Sequence, residues 1–342
     1  MPPSFTRYLV TLGASLAAVF CAVWGYVVLA PMAYYEGGYP TWRAKEQMLA
    51  ECQVGEIAFF GDSRLESGVV PALMPVNTVN FGVPAGTAVE TRSAARRAAA
   101  CPSPPKQAVI ALTPAHFGPL SRFFWILSVR YGFISPGELW DTVRWADQLG
   151  DSETMATATP DGFSGRLRDV LYAVRFPSLS FNSLVQGRVF GRYRSNMERF
   201  AAVLRSKGWS DYGAGGGLVG ELSAPFRPTK LQNAEFEATL RVLHERGIEA
   251  LLLPMPFSQS GLTNAQSRAA YFDYLSDAAR RLPGVRVIGG DAPVWPDELF
   301  VDGEHLTGAA AKLYTAKLAA CVTGGRLQPD CDLDWHATTA SQ

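Results

Sequence analysis

The chain carries no excess of charge of either sign. Its 342 residues include 31 Lys and Arg against 31 Asp and Glu, and no block of basic residues stands out. A nucleic-acid-binding surface usually needs such an excess, so the composition argues against a nucleic-acid partner. The chain also lacks the glycine fingerprint of dinucleotide-binding folds, a P-loop and internal repeats, and it therefore gives no sign of a nucleotide cofactor.

Metal-binding residues are scarce as well. There are four histidines and five cysteines. No two histidines stand at a spacing typical of metal ligands, and no Cys-x-x-Cys occurs, whereas zinc sites are usually built from such clusters. We therefore predict neither a metal centre nor any other cofactor.

The few cysteines predict disulfides instead. Cys21 lies in an apolar run, and the remaining four form an even number, as in proteins of oxidising compartments. Four cysteines allow three pairings. We favour Cys52–Cys101 and Cys321–Cys331, because Cys52 precedes the first predicted strand and Cys101 precedes the third. Free, buried thiols are the alternative.

One long apolar run lies at the N-terminus. Residues 8–30 contain no charge and no proline, and these 23 residues are enough to cross a bilayer as a helix. A cleaved signal has a shorter apolar stretch, and Pro31 should hinder cleavage, so we predict an uncleaved anchor. Arg7 before the run favours a cytoplasmic N-terminus. We therefore expect a single-pass protein of the inner (cytoplasmic) membrane whose main body is periplasmic or extracellular.

Length and an apolar content of 48% allow one large α/β domain, or a domain with a sizeable insertion. Short apolar runs bounded by turn residues predict five strands, at 56–60, 78–81, 108–113, 249–254 and 285–288. Helical patterns lie at 88–100, before Gly247, at 267–282 and after Thr307. The predicted organisation is a stub and anchor at 1–30, a linker at 31–53, a domain in two parts at 54–117 and 229–322, an insertion or cap at 118–228, and a tail at 323–342.

The segment 118–228 is the least informative. It is rich in aromatic residues, among them Trp125, Trp140, Trp145 and Trp209. These rings belong either to the core of a helical cap, which is the commoner arrangement, or to a sugar-binding face. Residues 167–174 and 197–204 have helical composition, Pro136-Gly137 and 160–162 predict turns, and the glycines of 213–217 predict a flexible loop that could serve as a lid.

Ser63 follows the first predicted strand directly, in the stretch Gly61-Asp62-Ser63. Open α/β sheets bind ligands at the carboxyl ends of their strands, so this serine is a candidate nucleophile. A serine hydroxyl needs a neutral imidazole as base, and the imidazole needs an acceptor on its other nitrogen. Asp302 and His305, three residues apart before the last helix, can supply both. Each motif alone has a simpler explanation, a helix-capping serine and a surface loop.

Together the two motifs resemble the SGNH/GDSL hydrolase superfamily. Gly61-Asp62-Ser63 is similar to its first motif and Asp302-Gly303-Glu304-His305-Leu306-Thr307 to its last. The resemblance implies a flavodoxin-like three-layer α/β/α sandwich with a mostly parallel sheet, and ester hydrolysis or acyl transfer. It also implies that Ser63 is the nucleophile, His305 the base and Asp302 the residue that orients it. With Arg64 directly after the serine, the first motif is most similar to that of membrane-anchored, DltD-like or alginate-acetylation-like members, which act on cell-surface polymers.

The same resemblance implies an oxyanion hole made by the backbone N–H of Ser63 and of a glycine in the second motif. Gly86 fits that place best, and Gly82 is the alternative. The third motif of the family usually ends in Gly-x-Asn-Asp, and its Asn also donates to the oxyanion. This chain has no Asn there, which leaves Thr113 or His116 for that place. The departure favours acyl transfer over hydrolysis.

The resemblance and the anchor at residues 8–30 together predict an extracytoplasmic serine enzyme that acts through an acyl-Ser63 intermediate. It would be an O-acetyltransferase or an acetylesterase of an envelope or secreted polysaccharide, working with a membrane-bound acyl-donor or polymer-synthesis partner. Two alternatives remain open. One is a lipid-directed esterase or thioesterase, and the other is a non-catalytic assembly component of a polysaccharide export complex that keeps the fold.

Overall fold

The computed structural model describes residues 3–35, 38–156, 191–213, 225–261 and 264–335, with residues 167, 170, 171 and 173–176 between them. Of the helix expected at 167–174, the described residues 167, 170, 171 and 173 are helical. The turn expected at 160–162 and residues 214–217 of the glycine loop lie outside the described residues, as does the end of the tail from residue 336.

The centre of the protein is a sheet of five parallel strands in the order β2-β1-β3-β4-β6. Two further strand pairs lie outside it, β5 with β7 in parallel and β8 with β9 in antiparallel orientation. The strands are β1 (Ile57–Gly61), β2 (Thr78–Asn80), β3 (Gln107–Ala111), β4 (Glu249–Leu252), β5 (Phe257–Ser258), β6 (Val285–Val287), β7 (Val294–Trp295), β8 (Val322–Thr323) and β9 (Arg326–Leu327). All five strands predicted for the domain are confirmed, with ends shifted by one or two residues.

The α-helices whose two ends lie within the described residues are α1 (Pro3–Leu29), α2 (Pro31–Tyr34), α3 (Tyr39–Ala50), α4 (Ser63–Gly68), α5 (Ala88–Ala99), α6 (Pro136–Gln148), α7 (Ser152–Ala156), α8 (Arg192–Arg205), α9 (Lys230–Glu245), α10 (Ala265–Arg281) and α11 (Gly308–Ala320). Short 3₁₀ turns lie at Pro71–Leu73, Pro114–Phe117 and Asp297–Leu299, and a π-helical turn lies at Phe124–Val129.

Strands β1, β3 and β4 are buried on both faces, which explains their nearly continuous apolar sequences, whereas Arg286 of the edge strand β6 is exposed. Successive side chains of a strand point to opposite faces. Accordingly, Ala58 and Phe60 belong to one hydrophobic cluster, with residues of α3, α5, α9 and α10. Ile57 and Phe59 belong to a second cluster, with residues of α4 and α11. The sheet therefore separates two cores.

Helix α1 contains the apolar run of the N-terminus. Its stretch Phe5–Leu29 contains an 18-residue window with a mean hydropathy of 2.0, and only 6% of that window is buried against the rest of the protein. It is long and apolar enough to cross a membrane, in agreement with the predicted anchor. The chain breaks at Ala30 and restarts as α2 at Pro31, since proline fits the first turn of a new helix and not the interior of an old one.

Two segments differ from the sequence-based expectation. Residues 31–53, expected as a linker, form α2 and α3, and Trp42 of α3 is fully buried in the first cluster. The prediction of a turn at Pro136-Gly137 was wrong, because α6 begins there. Ser135 and Glu138 form a capping box around its first turn, in which proline is well tolerated.

Both predicted disulfides are confirmed. Cys52 is joined to Cys101, and Cys321 to Cys331, while Cys21 is free and exposed on α1. The first bridge links the end of α3 to the segment that leads into β3. The second joins the end of α11 to the described part of the tail.

The tryptophans of segment 118–228 do not share one environment. Trp125 packs against the first cluster. The Arg92 guanidinium lies over Trp145, with 4.9 Å between its carbon and the centre of the Trp145 ring. Trp209 donates a hydrogen bond of 2.8 Å to the Ser67 carbonyl oxygen. Trp140, in contrast, is exposed. Three of the four rings thus pack within the protein, and one is free to contact another molecule.

Candidate active site

Ser63 is placed by the tight turn that ends β1. A Cβ atom on Gly61 would lie 1.7 Å from the Ala111 carbonyl oxygen of β3, so only glycine lets the two strands approach here. Asp62 then caps α4, since its carboxylate accepts the Arg64 N–H at 2.9 Å. Ser63 is the first residue of α4 and is partly exposed at the carboxyl edge of the sheet.

His305 faces this serine. Its Nε2 lies 2.8 Å from Ser63 Oγ, although the two residues are 242 positions apart. Its Nδ1 lies 2.9 Å and 3.0 Å from the two carboxylate oxygens of Asp302. The structure therefore brings together the nucleophile, base and orienting residue expected from the two motifs.

The loop that carries His305 is fixed by backbone and side-chain contacts. Asp302 Oδ1 accepts the N–H groups of Glu304 and His305, both at 2.8 Å, which closes the loop into a tight turn. Ser258 donates to the Gly303 carbonyl oxygen at 2.9 Å. Thr307 caps α11, as expected, by accepting the Ala310 N–H at 3.2 Å. The imidazole is thus positioned by its own turn and by a helix start.

The charge of Asp302 decides which nitrogen of His305 carries the proton. Partial burial of Asp302 opposes ionisation, but the hydrogen bonds from the Glu304 N–H and from His305 outweigh it and lower the pKa of the carboxyl. An ionised carboxylate can only accept, so Nδ1 must donate to it. This leaves the lone pair of Nε2 on a neutral ring directed at Ser63 Oγ, which is the arrangement that a general base requires.

A second imidazole–carboxylate pair lies beside the first. His116 Nδ1 is 2.9 Å from Asp62 Oδ2 and 3.2 Å from Thr113 Oγ1. Asp62 is fully buried and also accepts the Thr113 N–H at 2.7 Å. His116 follows β3, the neighbour of β1, so it stands at the same edge of the sheet as Ser63.

The two groups of this pair shift each other's pKa. Burial would raise the pKa of Asp62, but hydrogen bonding to His116 and the positive charges of His116 and Arg64 bring it down to about 2. Burial would lower the pKa of His116, but the hydrogen bond and the charge of Asp62 raise it overall. Both shifts favour the pair in its doubly ionised form.

The residues expected to form the oxyanion hole all lie near the turn of Ser63. A Cβ on Gly82 would be 2.8 Å from the Asp62 carbonyl oxygen, and one on Gly86 would be 2.7 Å from that of Gly61. These glycines therefore let their loop pack on the turn. Their N–H groups donate elsewhere, that of Gly82 to Asn80 Oδ1 at 2.9 Å and that of Gly86 to the Val83 oxygen at 3.0 Å.

The two other expected donors differ from each other. The Thr113 N–H is engaged by Asp62, as described above. The N–H of Ser63, at the first position of α4, belongs to the helix-terminal donors that have no acceptor within their own helix. In this conformation, the N–H of Ser63 is the one of the expected set that is best placed to donate to a ligand oxygen. That Ser63, Gly82, Gly86 and Thr113 form an oxyanion hole stays a prediction.

Three polar residues at the site had no signal in the sequence. The Tyr212 ring lies against the His305 ring with 4.8 Å between the centres, and its hydroxyl donates to Glu66 Oε2 at 3.1 Å. Lys45 of α3 lies with its Nζ 3.5 Å from Glu66 Oε1 and donates to the Gly82 carbonyl oxygen. Burial lowers the pKa of Lys45 to about 8 in spite of Glu66. These residues come from distant segments, so no spacing could have joined them.

Arg64 is turned into the protein and not toward a ligand. Its side chain is buried, donates to the Pro256 carbonyl oxygen, and lies 4.6 Å from the ring centre of Phe257. It thereby ties α4 to the loop that follows β4. Its position after Ser63 therefore has a structural explanation that does not involve substrate.

Comparison of the chain with known protein families finds no match, and no curated protein is significantly similar to it. Within the described residues, no three His, Cys, Asp or Glu side chains are grouped so that they could hold a metal ion. The geometry of the side chains is therefore the evidence for the chemistry of this site.

Proposed function

We propose that the protein is a serine acyl-ester enzyme of the SGNH/GDSL superfamily, anchored by α1 and acting through an acyl-Ser63 intermediate. The observation that carries the proposal is the hydrogen-bonded chain from Ser63 Oγ to His305 Nε2, 2.8 Å, and from His305 Nδ1 to the Asp302 carboxylate, 2.9 Å. A nucleophile, a base and an orienting acid in this order are the requirements of serine acyl transfer.

The topology supports the proposed three-layer α/β/α sandwich. Numbered along the chain, the five strands of the central sheet lie in the order 2-1-3-4-5, which is the order of flavodoxin. In such sheets ligands bind where the strand order reverses, here between β1 and β3. Ser63 follows β1 and His116 follows β3, so both stand at that point. The long connection between β3 and β4 is the proposed insertion, at residues 118–228.

The reaction begins with attack by Ser63 on the carbonyl carbon of an ester. As the Oγ–C bond forms, the serine proton passes to His305 Nε2 and the π electrons of the carbonyl move to its oxygen. Collapse of this intermediate breaks the bond to the leaving alkoxide, which takes the proton from His305. The acyl group is then bound to Ser63, and His305 is neutral again.

The second half of the reaction regenerates the serine. A hydroxyl compound loses its proton to His305 and attacks the acyl carbon, and Ser63 leaves with that proton. Water as acceptor makes the protein an esterase, whereas a sugar hydroxyl makes it an O-acetyltransferase. An extracytoplasmic position next to the membrane fits an envelope or secreted polysaccharide as acceptor, acetyl as the acyl group, and a membrane-bound acyl-donor partner.

Labelling with a fluorophosphonate tests the nucleophile. The detergent-solubilised full chain should react, and Ser63→Ala and His305→Ala should not. A wild type that labels as poorly as Ser63→Ala would favour a non-catalytic assembly component. Acetate release is then followed with and without candidate polysaccharides. Release into water alone favours an esterase, and saccharide-dependent deacylation favours transfer. Better turnover of long-chain than of acetyl 4-nitrophenyl esters would favour the lipid-directed alternative.

A further inference from the structure

His116 takes no part in the chemistry described so far, yet two hydrogen-bonding contacts fix the orientation of its ring. Nδ1 is fixed between Asp62 Oδ2, at 2.9 Å, and Thr113 Oγ1, at 3.2 Å. Asp62 has no exposed surface and directly precedes Ser63 in the chain. The imidazole is therefore attached to the same turn that presents the nucleophile.

His116 also lies near the loop of the proposed general base. Glu304, which directly precedes His305, is close enough for its charge to act on His116. His116 itself stands after β3, the strand next to the one that leads to Ser63. It therefore lies at the sheet edge that carries the nucleophile and within the electrostatic reach of the loop that carries the base.

The orientation of the ring follows from its exposure. The side chain is 24% exposed, whereas Asp62, its partner at Nδ1, is fully buried. Both partners of Nδ1, Asp62 and Thr113, are buried, so Nε2 is the ring nitrogen that remains available to a ligand. Among the described residues, no hydrogen-bond partner is found for Nε2 of His116, whose contacts are both made through Nδ1.

The surroundings favour the protonated ring. Burial disfavours the cation, but Asp62, and with smaller effect Glu304 and Glu90, raise the pKa of His116 above its ordinary value of 6.5. Arg64 is a cation of this region that is itself close to Asp62, and Lys45 is paired with Glu66. In the imidazolium both nitrogens carry a proton. Nδ1–H is donated to Asp62, and Nε2–H is left for a ligand.

We propose that the Nε2–H of His116 donates a hydrogen bond to the carbonyl oxygen of the ester as that oxygen becomes negative. This inference rests on the proposed function. His116 keeps its proton throughout, because the π electrons move to the oxygen and the serine proton goes to His305. It supplies a charged side-chain donor where the N–H groups of Gly82, Gly86 and Thr113 are engaged within the protein.

Two substitutions separate this role from a structural one. In His116→Asn the side-chain amide can occupy the place of Nδ1 and keep the contact with Asp62, but nothing replaces Nε2. In His116→Gln the longer amide can place a donor near the position of Nε2. Loss of one oxyanion donor typically lowers kcat about 10²–10³-fold. With 4-nitrophenyl acetate and the full chain in detergent, we expect such a loss of kcat in His116→Asn with KM nearly unchanged, and a smaller loss in His116→Gln.

The pH profile of the unaltered chain provides a second measurement. Above its raised pKa, His116 is neutral with its remaining proton on Nδ1, so Nε2 can no longer donate. Activity of the wild type should therefore fall at a pH above 6.5, the ordinary value for histidine. In His116→Gln the falling limb should be absent, because an amide does not titrate.

The outcomes distinguish this inference from the proposed function. Wild-type kcat in His116→Asn, or a wild-type profile without a falling limb up to about pH 9, would overturn the role of His116 while Ser63 remains the nucleophile. A wild type that neither labels with fluorophosphonate nor turns over the ester would overturn both. A melting curve of each variant shows whether a lower rate comes from unfolding, and if His116→Asn does not fold, the falling limb of the wild type decides.

Discussion

The protein holds two imidazole–carboxylate pairs at one edge of its sheet, and they are built in opposite ways. His305 and Asp302 are three residues apart, and the side chain of Asp302 is 43% exposed. His116 and Asp62 are 54 residues apart, and Asp62 has no exposed surface. In both pairs the carboxylate accepts from Nδ1. The difference therefore lies in the solvent around the carboxylate and not in the contact itself.

Under the proposed function, that difference suits one histidine to exchanging protons and the other to keeping its proton. Water stabilises the Asp302 carboxylate whether or not His305 is charged, so His305 can gain and lose a proton during each turnover. The buried charge of Asp62 has no such solvent, and it would lose its directly bonded cationic partner if His116 became neutral. The exposed pair suits general base catalysis, and the buried pair suits a fixed positive donor.

Substitution of Asp302 should have the largest effect on activity. In Asp302→Asn the amide cannot hold the Nδ1–H tautomer, so His305 presents a proton, and not a lone pair, to Ser63. We expect kcat to fall up to about 10⁴-fold. Because the side chain is half-exposed, the melting temperature should change little. The measurement is ester turnover together with a melting curve, and wild-type turnover would show that Asp302 does not orient the base.

Substitution of Asp62 should reverse this pattern, with its main effect on stability. Removal of one member of a buried ion pair typically costs about 3 kcal/mol or more. In addition, the Thr113 N–H and His116 Nδ1 would lose an anionic acceptor. Asp62→Asn should therefore lower the free energy of unfolding in urea by about that amount. Equal stability of Asp62→Asn and Asp302→Asn would remove the contrast between the pairs.

The two pairs also differ in how far the sequence predicts them. Asp302 and His305 lie on one short loop, and the apolar run before Gly61 predicts the strand that places Ser63 at the sheet edge. The order of the strands then brings the loops together. The contact of Asp62 with His116 depends on the register of β1 beside β3, in which Gly61 stands opposite Ala111. No local pattern in the sequence predicts that register.

The same reasoning explains the other residues that were missed. Lys45, Glu66 and Tyr212 come from three separate segments, and their contacts exist only once α3 packs on the domain. Charged residues are usually exposed, so a buried Lys in a presumed linker has no sequence signal. The disulfides were predictable because four cysteines allow only three pairings and two of them precede neighbouring predicted strands. The strands were predictable because burial on both faces gives a continuous apolar run.

A third prediction concerns stability as a function of pH. The folded-state pKa of Asp62 is lowered from 3.8 to about 2, so its stabilisation is complete above pH 3.8 and is lost as pH falls toward 2. At 1.36 kcal/mol per pKa unit, this amounts to about 2 kcal/mol. The pKa of His116 is raised above 6.5, so its stabilisation is present below pH 6.5 and is lost as pH rises through the folded value.

The buried pair should therefore stabilise the fold most between about pH 4 and 6.5. Urea unfolding of the wild type, Asp62→Asn and Asp302→Asn within this range and on both sides of it measures the contribution. The difference between wild type and Asp62→Asn should be largest within the range, and it should shrink as pH falls toward 2 and as pH rises through the folded-state pKa of His116. Asp302→Asn should follow the wild type closely, because an exposed pair contributes little. A pH-independent difference for Asp62→Asn would contradict the linked titration of the pair.

The smallest expected effect concerns the cover of His305. The Tyr212 ring lies 4.8 Å from the His305 ring, and no aromatic ring in the described part of the chain stacks on His116 in the same way. Tyr212→Phe keeps the ring and loses the hydroxyl contact with Glu66, and we expect kcat to change less than about threefold. Tyr212→Leu removes the ring that limits the movement of His305. Since small misplacements of catalytic groups are costly, kcat should fall roughly tenfold.

The loss of kcat in Tyr212→Leu should appear at all pH values and leave the falling limb assigned to His116 in place. A shift of that limb in Tyr212→Leu would mean that the two histidines are not independent.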